Sequence, residues 1–99
     1  MAQATEIAAR RRTAAASSIE QAELRLTAAQ EKHAAKLTAV QAAEAKLNSL
    51  RSSGSATQAQ ISAAESTLSN ARASASTALA GVKAAEDRVT SARQKYIDV

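Results

Sequence analysis

The chain has 99 residues, a formal net charge of +4 and 28 alanines, with one aromatic residue and neither proline nor cysteine. So little large apolar volume excludes the thick core of an ordinary globular domain, and the apolar residues must be laid out along a line. The lack of cysteine excludes disulfides and thiolate chemistry, and the single histidine, His33, excludes the usual zinc ligand sets.

The first half carries a seven-residue beat. Ile19, Leu26, His33, Val40 and Leu47 fall on one position, written a, while Ala15, Ala22, Ala29, Lys36, Ala43 and Leu50 fall on a second, written d. An a/d repeat of this kind is a coiled-coil seam and must face another helix along its length. It predicts a first helix over about 3–52. The segment at 51–55 holds the one Gly/Ser cluster of the chain, with Gly54 suited to a left-handed helix end, so a turn is expected at about 53–55. Ser55 and Gln58 fit a capping box, which starts a second helix over about 56–97.

The second half keeps the beat with alanine fixed at d. Ile61, Leu68, Ala75, Val82, Val89 and Tyr96 occupy a; Ala64, Ala71, Ala78, Ala85, Ala92 and Val99 occupy d. A short loop between two long helices makes them antiparallel neighbours, so residues that face each other have numbers with a constant sum. A sum of 111 sets Leu47 against Ala64, Val40 against Ala71, Leu68 against Ala43 and Val89 against Ala22, a large residue on a small one each time. Slipping one heptad would put Ala29 against Ala75 and leave that layer under-filled. The expected fold is all-α: a single long antiparallel two-helix hairpin, an alanine-rich coiled coil, packing into a larger helical bundle or assembly. Its alternation resembles the alanine-rich helical pairs of Rop-type plasmid regulators and of periplasmic adaptor hairpins, which implies closely spaced antiparallel axes.

The two flanks of the seam differ. Position g carries Arg11, Arg25, Lys32, Lys46, Arg88 and Lys95 with no acid among them, a basic edge open to an acidic partner. Position e mixes Glu23, Glu44, Glu65 and Glu86 with Arg51, Arg72 and Arg93, and predicts the pairs Arg51–Glu65, Glu44–Arg72 and Glu23–Arg93. His33 and Lys36 make a polar layer that specifies register, their stems lying over alanines.

The intrachain seam is accordingly assigned to Ile19, Leu26, Val40, Leu47, Leu50, Ile61, Leu68, Val82, Val89 and Tyr96. Outside it lie Leu24, Leu37, Leu79 and Ile97 and a small-residue row of Ala28, Ala35 and Ala42, the candidate contacts with a partner. No catalytic, cofactor-binding or metal-ligating constellation is found: there is no phosphate loop, no nucleophile with a base, and no cleft in which to desolvate a reacting group.

The expected function is non-enzymatic, with no cofactor and no small-molecule substrate. The hairpin is expected to self-associate as a homo-oligomer or to dock onto a larger assembly such as a virion or secretion machine, because a seam built half from alanine buries little area per ordered residue. The alternatives are a basic module that contacts nucleic acid through phosphates, and a small helical adaptor. No run approaches the length of a membrane span, and the residues after Arg10, Arg11 and Arg12 are too polar for a signal peptide core. A cytoplasmic or virion-associated location is expected.

Overall fold

A computed structural model describes the backbone of residues 2–98 and the side chains of residues 5–97. Two helices account for nearly all of it: α1 (Ala2–Ser53) and α2 (Gln58–Asp98). Alanine leads both, joined by Glu, Arg and Leu in α1 and by Ser in α2, and none of the described residues is a proline that would break either one. Six threonines that would otherwise compete with the helix turn their hydroxyls back on it. Thr13, Thr27, Thr38, Thr67, Thr77 and Thr90 each donate to the carbonyl four residues earlier, at 3.0–3.1 Å.

α1 ends at Gly54, whose φ of +68° lies in the left-handed region. The Ser53 hydroxyl donates to the Leu50 carbonyl at 2.9 Å and accepts from the Ser55 N–H at 3.3 Å. Ser55 therefore closes α1 rather than opening α2. The capping box sits two residues later than the one expected at Ser55 and Gln58: Thr57 accepts from the Gln60 N–H at 3.1 Å, and the Gln60 side chain accepts from the Thr57 N–H at 2.9 Å. The Thr57 carbonyl then takes the N–H of Ile61 at 3.1 Å, and the second seam begins.

By their contacts the residues fall into two compact units, 30–80 and 1–29 with 81–99. In the first, Ala43, Leu47, Ala64 and Leu68 form a buried cluster, with Val40, Leu50, Ile61 and Ala71 packed against it. Its members include the facing pairs that the sum of 111 predicts. In the second unit Ala22, Val82, Ala85 and Val89 are buried. Among the described residues no polar or charged side chain is buried, so what is fully buried in each unit is aliphatic.

Candidate interaction surfaces

Between Ala15 and Ala92, a and d positions outside the turn are all buried or half-buried. Leu47, Leu68, Val82 and Val89 are buried; Ile19, Leu26, Val40, Leu50 and Ile61 are half-buried. Tyr96 departs from the seam assigned to it and is 44% exposed. The next a position beyond its partner layer is Arg12, an exposed cation rather than an apolar residue. The phenol can then keep its hydroxyl in water. Val99, placed at the last d position, lies outside the described residues.

The e edge forms as its charges suggest. Arg51 meets Glu65 at 3.1 Å, Arg72 meets Glu44 at 3.4 Å, and Arg93 meets Glu23 at 3.1 Å. The numbers of each pair add to 116, which is the sum for e opposite e when the core sum is 111. A one-heptad slip would break all three. The pairs are thus an independent reading of the core register within each unit. Their side chains stay roughly half exposed, so each contributes about 0.2–1 kcal/mol and specifies alignment more than it stabilises.

Leu37 and Leu79 occupy the same kind of rung, since both are e positions and their numbers share that sum. They are 45% and 40% exposed, against 70% for Leu24 and 73% for Ile97. The latter two stand well clear of the seam, as does Ile7 at 48%. Ala28, Ala35 and Ala42 are exposed along the outer side of α1.

The g edge has no ladder. Arg11, Arg25, Lys32, Lys46, Arg88 and Lys95 are all exposed, and none forms an ion pair with a described carboxylate. In the unit of residues 1–29 and 81–99, Arg25, Arg88 and Lys95 line one open cavity of about 400 Å³ with Ser18, Gln21 and Ser91. Asp87 also lines it. Lys46 lines a smaller cavity of about 250 Å³ in the other unit, beside Leu50, Gln60 and Thr67. The grouping of Arg25 with Arg88 was open to the same addition that yields the e rungs: g opposite g requires a sum two above the core sum, and these residues meet it.

Among the described residues no group of three or more His, Asp or Glu side chains could hold a metal ion, and no helix is long and apolar enough to cross a membrane. No protein-family model, curated protein or solved structure matches the chain.

Proposed function

We propose that this hairpin is a structural protein that works by packing against further copies of itself. The surface it leaves in water carries this reading. The chain exposes 7164 Å², whereas a folded monomer of 10.2 kDa exposes about 5,300 Å². Six of the ten buried apolar residues among those described are alanines, which bring little buried area each. Meanwhile Leu24 and Ile97 spend large apolar side chains on solvent. Lateral association covers such residues and adds the buried area that the two-helix seam lacks.

Sedimentation of the full chain beside a Leu24→Ser/Ile97→Ser variant tests this reading. The wild type is expected as an oligomer and the variant as a smaller species of unchanged helicity. A wild type that sediments as a folded monomer overturns it.

A further inference from the structure

The two charged edges are built by opposite rules. On the e edge every arginine of the ladder is matched by a carboxylate: Arg51 by Glu65, Arg72 by Glu44, Arg93 by Glu23. On the g edge the register sets Arg25 opposite Arg88, cation on cation, and both line a cavity with Lys95. Like charges directly across a helix pair repel, so a glutamate at either arginine would serve the fold better. Asp87 offsets one of the three cations, pairs with none of them, and leaves the cavity positive.

We infer that this groove binds the phosphodiester backbone of a nucleic acid. Guanidinium groups present forked donors suited to phosphate oxygens, the ammonium of Lys95 adds a mobile charge, and Ser18, Gln21 and Ser91 supply neutral donors around them. No aromatic side chain lines the cavity, so bases find no stacking platform and recognition rests on phosphates without regard to sequence. A repeating polyanion fits better than a single small phosphate, because the cavity is open and the cations do not stop at it. Arg11 continues the g row of α1 within the same unit, fourteen residues or about 21 Å along the helix from Arg25. The net charge of +4 favours the same partner.

Fluorescence anisotropy of the full chain with a labelled DNA duplex of about 20 base pairs, over about 50–200 mM salt, tests the inference. The wild type is expected to bind at low salt and weaken steeply as salt rises. Arg25→Gln/Arg88→Gln is expected to lose about tenfold in affinity and about two from the salt slope, while melting no lower than the wild type. An Arg51→Gln/Arg72→Gln control removes equal charge from the e edge and is expected to change affinity by less than about threefold. The inference is overturned by no binding at the lowest salt, or by equal losses in the two variants. It is also overturned if pyrophosphate, in competition at the same salt, binds at least as tightly as the duplex, which would assign the groove to a small anion.

Discussion

At Gly54 the backbone φ of +68° lies where an L side chain strains its own carbonyl, although an added Cβ would meet no atom within 4 Å. Gly54→Ala is therefore expected to lower stability by about 1–2 kcal/mol through the backbone alone. Gly81 also faces open space but lies inside α2, where its cost is the loss of chain entropy that alanine avoids. Gly81→Ala should raise stability by about 1 kcal/mol, and thermal melts of the two variants should move in opposite directions. The role of Gly54 is legible in the sequence because it is the one glycine in a polar cluster. The later start of α2 is not, because Ser55–Gln58 and Thr57–Gln60 are equally good capping boxes. The hydrogen bond from the Ser55 N–H to Ser53 decides between them by committing Ser55 to the end of the preceding helix.

Between the helices, register is set twice, by size in the seam and by charge on the e edge. Reversing one member, as in Glu44→Arg, puts two arginines on one rung and is expected to cost a few tenths to about 1 kcal/mol. Adding Arg72→Glu restores an opposite pair, and a double-mutant cycle should return a coupling of that size. Both devices are legible from periodicity and residue sums. The rung at Leu37 and Leu79 is less so, because its meaning depends on the layer beside it. There His33 and Lys36 take the seam positions of α1 opposite Ala78 and Ala75, yet those alanines are only 8% and 7% exposed. Leu37 follows Lys36 and Leu79 follows Ala78, so two leucines on the e edge can cover a layer that the polar residues leave thin. Leu37→Ala and Leu79→Ala are each expected to destabilise the fold by about 1 kcal/mol, with a double variant that costs less than their sum. If the two leucines serve a partner alone, denaturant midpoints of these variants measured below the association range will match the wild type.

For the whole molecule the sequence dictates a fold whose strengths are local and whose core, in each of its two compact units, is a thin aliphatic seam. Seam, turn and charge ladder agree with one another, which is the consistency that lets a chain specify one structure. Periodicity also conveys the contrast between the edges, a g row without acids beside a mixed e row; what it does not convey is that three cations of the g row share one cavity. Nor does it convey a partner for Leu24 and Ile97, which stand 70% and 73% exposed. The proposed self-association couples assembly to folding, because any surface buried between copies adds to a seam that is thin by itself. Sedimentation equilibrium over a hundredfold range of micromolar concentration, with thermal melts of the same samples, tests that coupling most directly. The expected result is a mass that is a multiple of 10.2 kDa and a melting temperature that rises with concentration. A single species of 10.2 kDa that melts cooperatively at one temperature throughout would contradict it.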